Sequence, residues 1–318
     1  MVEVHHADRK SAVLTPSSLA CLADMPAVNF TAGCAHECRY CYTRGYQTHP
    51  GEGRVRFYTN TLARLQAELH HKRKRPVAVY FSPSSDPFQP IPEVLDMAFE
   101  VFQFLLNSGI GVAFLTKGRI PERHRRLLGA HAPLVRGKIG LVTLDARISS
   151  AFEPHAAPPE ARLAQAAELA AEKVAIEARV DPILPGLSDG EDSLDALCAA
   201  LVQAGVRRAA ASVLFLRPAV IGSLKRHITD VAMLRTLLHA FANKERLAIR
   251  VGNSRVVALP AEARRKILDR LQSVAGRHGL KVCVCGCKNP DIQAGSCNIS
   301  GEWPQGVTDA RQLGLFDG

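Results

Sequence analysis

Short apolar segments alternate with amphipathic segments along most of the chain, and this alternation limits the possible folds more than any other feature. The apolar segments are rich in β-branched residues and lie at 77–81, 110–115, 138–142, 174–180 and 208–215, and the amphipathic segments that follow them lie at 92–108, 121–129, 159–172, 193–204 and 230–244. Successive strand–helix units of this kind form a parallel sheet. The sequence therefore predicts an α/β fold.

Polar segments rich in proline or glycine follow four of the predicted strands. They are Ser82 to Pro87, Thr116 to Gly118, Thr143 to Asp145 and Asp181 to Gly186. In barrels and open sheets of parallel strands, ligands bind at the carboxyl ends of the strands. We therefore expect the functional site at this edge of the sheet.

Seven of the nine cysteines fall into two groups, and the first group suggests a metal centre. Cys34, Cys38 and Cys41 lie within eight residues. Three thiolates at this spacing can hold three corners of an iron–sulfur cube and leave the fourth iron open to a chelating ligand. A zinc site normally takes four protein ligands, so this alternative requires His36 as the fourth. Spacing alone leaves both metals open.

The CxxxCxxC triplet, with Tyr40 before its third cysteine, resembles the triplet of the radical S-adenosylmethionine (SAM) superfamily. Further stretches resemble, in the same order, the spore photoproduct lyase-like branch of that superfamily, which includes many DNA repair photolyase-like proteins. These stretches lie at 33–42, 84–86, 116–117, 152–154, 159–163 and 179–186. The resemblance implies a partial (β/α)6 TIM-like barrel of the radical SAM type.

The resemblance also implies a reaction and its cofactors. A [4Fe–4S] cluster on Cys34, Cys38 and Cys41 would bind SAM at its open iron and cleave it reductively to a 5′-deoxyadenosyl radical, which takes a hydrogen atom from the substrate. An external electron donor of the flavodoxin or ferredoxin type is the expected partner. The chain would then be a radical SAM enzyme, with the choice between lyase and transferase left open.

Four residues at the strand ends are candidates for cofactor binding, and two of them match cofactor-binding positions of the family. Ser85 resembles the serine beside the aminocarboxypropyl group of SAM, and the adjacent Ser84 is a further candidate. Lys117 resembles the lysine that pairs with the carboxylate of SAM, for which an ammonium is a suitable point charge. Thr143, at the next strand end, is also a candidate for cofactor binding.

Two tyrosines and one proline bear on catalysis. Tyr40 and Tyr42 match tyrosines of the lyase, where the second is placed to join a hydrogen-atom relay; both could equally pack against the cluster and shield it. The lyase has a hydrogen-donating cysteine two positions before the matched serine, and this chain has Pro83 there. Reversal of a thymine dimer by the route of the lyase is therefore in doubt.

The second cysteine group consists of Cys283, Cys285, Cys287 and Cys297. Gly286 and Gly295 would let the backbone fold tightly around a metal, and in an extended run the first three side chains would share one face. Three interpretations compete: ligands of a second Fe–S cluster, redox-active or hydrogen-donating thiols that replace the missing donor, and a structural zinc site. The spacing matches no known auxiliary-cluster pattern.

The chain is expected to divide into an N-terminal extension at 1–28, the radical SAM barrel at 29–253, and a helical, cysteine-rich C-terminal segment at 254–318. No apolar run approaches the roughly 18–20 residues of a membrane span, and the first residues contain no apolar signal-peptide core. The sequence therefore predicts a cytoplasmic protein without a membrane partner. It does not predict an oligomeric state.

The formal net charge of +10 favours an anionic partner such as nucleic acid. The densest basic stretches lie at 70–75 and 119–126, where they form either solvated helix ends or a phosphate-contacting face. Repair or modification of a nucleic-acid lesion is the first functional hypothesis. A radical enzyme acting on a peptide or small metabolite, and a non-catalytic zinc or Fe–S redox sensor, are the alternatives.

Overall fold

A computed structural model describes residues 2–17, 22, 25–249, 254–292 and 303–304. The strands are β1 (Glu3–Ala7), β2 (Ala27–Val28), β3 (Thr31–Ala32), β4 (Arg54–Tyr58), β5 (Ala78–Phe81), β6 (Gly111–Thr116), β7 (Val135–Gly140), β8 (Ala175–Ile183), β9 (Arg208–Val213), β10 (Glu245–Ile249), β11 (Ser254–Ala258) and β12 (Lys281–Val284). The helices are α1 (Thr61–His71), α2 (Pro92–Asn107), α3 (Glu122–Ala130), α4 (Ala146–Phe152), α5 (Pro159–Ala171), α6 (Glu191–Gln203), α7 (Pro218–His227), α8 (Val231–Ala240) and α9 (Ala261–Arg277).

The main sheet has seven strands in the order β12-β9-β8-β7-β6-β5-β2, and all neighbouring strands are parallel. The order follows the sequence, since each strand of this sheet lies beside the strand of the same sheet that comes next along the chain. Helices connect these neighbouring strands. This confirms the predicted α/β fold with a parallel sheet. The carboxyl ends of the strands meet at one edge, as the polar segments after the strands predicted.

The strands and helices form because apolar residues recur with the matching period. All four residues of β5 are buried, as expected for a strand covered on both faces. Helix α2 begins with a proline, which suits the first helical turn, and buries Val94, Ala98, Val101, Phe102 and Leu105 along one face.

Aromatic rings fill the core beneath the functional edge of the sheet. Phe102 of α2 contacts Phe81 with ring centroids 4.7 Å apart, and Phe88 contacts Phe114 at 5.2 Å. Both pairs are arranged edge to face, the geometry that the ring quadrupoles favour. The loop that follows β5 is therefore fixed by the core from below.

The main sheet crosses both predicted domain boundaries. Strand β2 pairs with β5 through Ala27 and Val28, which fall in the predicted N-terminal extension. Strand β12 from the predicted C-terminal segment pairs with β9, and α9 packs against α6 and β9. The cysteine-rich stretch therefore forms one edge of the main sheet, the same sheet whose carboxyl ends are expected to carry the functional site.

Two smaller sheets flank the main one. Strands β1, β4 and β3 form the first, and β10 and β11 form an antiparallel pair. None of the helices in the described ranges has the length and apolar character needed to cross a membrane.

Candidate functional site

A cavity of about 230 Å³ opens at the carboxyl ends of the parallel strands. Both cysteine groups contribute to its wall: the first through Cys34, Cys38 and Cys41, and the second through Cys285 and Cys287. The fold thus joins two motifs that are about 240 residues apart in sequence. Cys297 lies outside the described residues.

The first cysteine group lies on a tightly wound loop. Gly33 has a φ of +82°, and a Cβ atom there would lie 2.7 Å from the carbonyl oxygen of Arg54, so only glycine fits. Two turns follow, in which the amide of Glu37 donates to the carbonyl of Cys34 and the amide of Cys41 donates to the carbonyl of Cys38. This winding carries all three thiols to the cavity.

The three thiols are half-buried. Burial raises the pKa values of Cys34 and Cys38, and neighbouring carboxylates and cysteines of the same group raise them further. Thiols must lose their protons to bind a metal, so the positive charge of bound iron would offset the cost that burial imposes. In the described part of the chain no three His, Cys, Asp or Glu side chains are grouped so that they could hold one metal ion, whereas in an Fe–S cluster each thiol binds an iron of its own.

His36 lines the cavity, but both of its ring nitrogens lie close to oxygen atoms of the protein. Its Nδ1 lies 3.0 Å from the carbonyl oxygen of His155, and its Nε2 lies 3.1 Å from Oδ2 of Asp86. A four-ligand zinc site would require one of these nitrogens to move from its neighbouring oxygen to the metal. Three soft thiols beside an open cavity fit a cluster with one open iron better.

Asp86 ties the loops after β5 and β6 to the cysteine loop. Its carboxylate accepts hydrogen bonds from the Thr116 hydroxyl at 2.7 Å and from the amides of Phe88 and Lys117 at 2.8 Å. Burial alone would raise the pKa of Asp86, but the nearby His36 and these amides outweigh it and hold the pKa below its usual value. The carboxylate is therefore ionised where the loops meet.

A second buried network surrounds Glu153, whose side chain is fully buried. It accepts a hydrogen bond from the Tyr40 hydroxyl, and its two oxygens lie 2.9 Å from Nζ of Lys117 and 2.5 Å from Nη2 of Arg162. Burial opposes ionisation, but the two cations more than compensate and lower the pKa of Glu153 to about 2. Lys117 and Tyr40 line the cavity, so this network joins the cysteine loop to the end of β6.

The predicted cofactor-binding residues divide into two sets. Ser84, Ser85 and Lys117 line the cavity, and the buried Ser85 hydroxyl has no hydrogen-bond partner within the described residues. Thr143 is not among the lining residues; its hydroxyl accepts a hydrogen bond from the amide of Asp145, the residue that caps α4. The structure thus brings together three of the four candidates.

Both predicted catalytic tyrosines line the cavity. Tyr40 donates to Glu153, and Tyr42 donates to the carbonyl oxygen of Pro83. The hydroxyl of Tyr42 therefore lies beside Pro83, the position that corresponds to the hydrogen-donating cysteine of the lyase.

The second cysteine group is held at the cavity by Lys288. Nζ of Lys288 lies 2.6 Å from Oδ2 of Asp181, which also accepts from the guanidinium of Arg179 at 2.8 and 3.0 Å. The amide of Cys285 donates to the carbonyl of Ala211, extending the pairing of β12 with β9. Cys283 lies on β12 itself and is not among the residues that line the cavity.

A buried polar cluster supports the turn that carries Cys285. The side-chain amide of Asn289 donates to the carbonyl of Cys285, and Asn289 accepts from Arg264, whose side chain is fully buried. Arg264 also pairs with Glu245 at 2.8 Å and with Asp291. The turn is therefore fixed on the side away from the cavity.

Sequence reasoning missed the charged partners Glu153, Arg162, Arg264 and Asp291, and gave Asp86 no role. The first two and Asp86 lie in stretches that carried the family resemblance, yet which charges pair in space depends on how the loops fold. A charged residue within an apolar helix pattern, as at Arg162 and Arg264, was the available signal.

The two basic stretches differ in position. The stretch at 70–75 ends α1 and leads into the amino end of β5, whereas the cavity lies at the carboxyl ends. In the stretch at 119–126, Arg123, Arg125 and Arg126 form ion pairs with Asp96, Glu168 and Glu122. Both stretches are therefore better interpreted as solvated or ion-paired helix residues than as a face that contacts phosphates at the cavity.

No family model matches the chain. An uncharacterized protein of Mycobacterium tuberculosis (strain H37Rv) is 29% identical over 213 residues, which cover 64% of this chain and 63% of that protein, so the chain spans less than two thirds of this relative. A radical SAM Nα-GlyT isomerase of Pseudomonas phage M6 is 25% identical over 160 residues, covering 50% of this chain and 33% of the isomerase.

The fold matches solved structures of spore photoproduct lyase. The complex of that enzyme with dinucleoside spore photoproduct aligns with a TM-score of 0.68 and 16% identity, covering 88% of this chain and 82% of the lyase. A variant of the lyase with bound AdoMet and dinucleoside spore photoproduct aligns with a TM-score of 0.67. The chain thus has the fold of spore photoproduct lyase, which confirms the predicted resemblance and the radical SAM-like partial barrel.

Proposed function

We propose that this chain is a radical SAM enzyme whose cluster is held by Cys34, Cys38 and Cys41. The observation that carries the proposal is the convergence of these three half-buried thiols with Ser85 and Lys117 on one cavity at the carboxyl edge of the sheet. A [4Fe–4S] cluster with SAM bound at its open iron would supply a 5′-deoxyadenosyl radical for hydrogen-atom abstraction.

The chain's own residues bind and orient the cofactor. The Lys117 ammonium offers a positive charge to the carboxylate of SAM, and the Ser85 hydroxyl, which has no hydrogen-bond partner among the residues that the structure describes, offers a hydrogen bond nearby. Apolar residues such as Val213, Leu214 and Phe215 line another part of the cavity and would exclude water from a reactive radical.

The test is SAM cleavage by anaerobically reconstituted, dithionite-reduced protein. We expect release of 5′-deoxyadenosine and methionine by the wild type and no release by a Cys34→Ala, Cys38→Ala, Cys41→Ala variant. A Cys198→Ala variant is the matched control, because Cys198 is buried in α6 and does not line the cavity. Cleavage that survives loss of the triplet would refute the proposal, and so would a wild type that cleaves nothing, which is the result expected of a non-catalytic redox sensor.

For the substrate, we propose a nucleic acid that is repaired or modified. The net charge of +10 supports an anionic substrate, and so do three cations in the cavity wall, Arg179, Arg217 and Lys288, two of which share the single carboxylate of Asp181. Spore photoproduct lyase has been solved with a dinucleoside lesion. Affinity for single- and double-stranded DNA and RNA should fall steeply with salt. Affinity that is absent or independent of salt would instead favour the peptide or small-metabolite alternative.

For the second cysteine group, we propose a hydrogen-donating role on the substrate side of the cavity. Pro83 lines the cavity but has no S–H bond from which a hydrogen atom could be donated. Cys285 and Cys287 line the same cavity, and each has such a bond. A thiol would transfer its hydrogen atom to a carbon radical of the substrate, forming a C–H bond and a thiyl radical. One electron from the external donor and one proton from water would then restore the thiol.

Deuterium transfer tests this role without knowledge of the substrate. Reduced, SAM-loaded protein in D2O should place deuterium from a thiol into 5′-deoxyadenosine, as measured by mass spectrometry. A Cys285→Ser, Cys287→Ser variant should incorporate several-fold less, while the Cys283→Ser control should match the wild type because Cys283 does not line the cavity. Equal incorporation in all three proteins would exclude the role.

A further inference from the structure

Four residues form one buried network between the cysteine loop and the proposed cofactor site. Glu153 is at its centre, with Tyr40 on the cysteine loop, Lys117 at the end of β6, and Arg162 on α5 as its partners. Glu153 and Arg162 do not line the cavity, whereas Tyr40 and Lys117 do. The first two therefore act on a ligand only through the second two.

Arg162 is fixed on every side by the protein. Besides Glu153, its guanidinium donates to the carbonyl oxygens of Ala157 at 2.6 Å and Gly140 at 2.7 Å and to the hydroxyl of Ser149 at 3.3 Å. Its side chain is fully buried. A guanidinium held this way is a stationary positive charge, and Glu153 is held in turn by its contact with it.

The charges of the network do not cancel. Glu153 contributes one negative charge, and Arg162 and Lys117 contribute one positive charge each, so the network carries a net charge of +1. Without Arg162, Glu153 would neutralise Lys117. Of these three charged residues only Lys117 lines the cavity: its side chain is 15% exposed, although its Nζ is buried, while the side chains of Glu153 and Arg162 are fully buried.

We infer that Glu153 and Arg162 are positioning residues for the carboxylate of SAM: Arg162 satisfies the charge of Glu153, and Glu153 holds the ammonium of Lys117 at the cavity wall without cancelling its charge. This inference rests on the proposed function, because it takes the carboxylate of SAM as the partner of Lys117. The contact of Glu153 with Tyr40 fixes the same ammonium relative to the cysteine loop, and hence to the thiols that would hold the cluster.

Decarboxylated SAM separates this role from a general structural one. It lacks the carboxylate, which Lys117 and the open iron of the cluster would both bind, so the ratio of its dissociation constant to that of SAM contains both contributions. Each protein's ratio is therefore expressed relative to that of Lys117→Met, which removes the contribution of the iron. For the reconstituted wild type we expect this relative ratio to be about 10 to 100, the range typical of a charge-assisted hydrogen bond.

In Glu153→Gln the neutral amide cannot hold the ammonium, and the relative ratio should fall to about 3 or less. Glu177→Gln is the matched control, since it removes a carboxylate that lies 2.6 Å from the nearly buried Lys138 on neighbouring strands of the same sheet, away from the cavity. The control should keep the wild-type ratio even if it unfolds more easily. Should Glu153→Gln not fold, Glu153→Asp, with a shorter reach, should show an intermediate ratio.

The outcomes separate the two proposals. A wild type whose ratio equals that of Lys117→Met contradicts the proposed role of Lys117. A wild type that discriminates, together with a Glu153→Gln or Glu153→Asp variant that discriminates equally well, overturns the inference about Glu153 and leaves the proposed function standing. Adding Glu153→Gln to Lys117→Met should change the ratio no further, because the two residues act in series.

Discussion

Acid should remove a defined part of the protein's stability through Glu153. The surrounding charges lower its pKa from the usual 4.5 to about 2, so the folded state binds a proton less readily than the unfolded state does. The stabilisation is therefore complete above pH 4.5 and is lost as the pH falls towards 2. At about 1.36 kcal/mol per pKa unit, it amounts to roughly 3 kcal/mol at pH 7.

The assay is urea unfolding of the wild type and of Glu153→Gln at pH 7 and pH 3.5. The variant lacks the titrating group, so the difference in unfolding free energy between the two proteins isolates its contribution. Proton linkage with these two pKa values gives a gap that narrows by about 1.4 kcal/mol between the two pH values. A gap that stays constant or widens on acidification would refute the assignment of a strongly depressed pKa to this carboxylate.

Three further perturbations test the packing around the site, two by urea unfolding and one by thiol modification. Asp86→Asn replaces a buried carboxylate that accepts from three donors, one of them the Thr116 hydroxyl, and should cost about 3–5 kcal/mol on urea unfolding; a cost under about 1 kcal/mol would contradict the network. Arg264→Met removes the guanidinium that donates to the buried Asn289 and should raise the rate at which iodoacetamide modifies Cys285, which is 3% exposed; an unchanged rate would show that the turn does not depend on Arg264. Phe102→Ala removes a fully buried ring from the core and should cost about 3–5 kcal/mol, so a near-neutral effect would contradict the packing described.

The sequence was sufficient for the elements whose signals are local. The helix predicted at 92–108 is observed at Pro92–Asn107, and the strand predicted at 110–115 is observed at Gly111–Thr116. Each has an unbroken apolar period of its own, so no distant contact was needed to predict it. The position of the site at the carboxyl edge followed from the same parallel-sheet rule.

Strand β12 was not predicted as part of the main sheet. Its four residues include Cys283, and the stretch was interpreted for its thiols rather than for its alternation. Its pairing with β9 depends on α9 folding back onto α6, a contact between residues far apart in sequence. Contacts between such distant residues leave no local signal in the sequence, and the sequence pattern therefore suggested a domain boundary at residue 253.

The candidate site shows the same division between local and distant information. Spacing alone singled out Cys34, Cys38 and Cys41 as a candidate metal site, because such a site is a local motif, and all three line the cavity. Strand-end position and the family resemblance suggested Lys117, which lines the cavity; strand-end position also suggested Thr143, which accepts a hydrogen bond within a turn instead. A position at the end of a strand predicts the correct edge of the sheet for a residue, but the loop that follows the strand decides the direction of its side chain.

Metal analysis of the anaerobically reconstituted protein tests the central claim most directly. The account predicts about four irons and four sulfides per chain at the N-terminal triplet. These should be lost in the Cys34→Ala, Cys38→Ala, Cys41→Ala variant and kept in a Cys283→Ala, Cys285→Ala, Cys287→Ala variant. Zinc bound at the three N-terminal thiols, with no iron removed by their substitution, would contradict it.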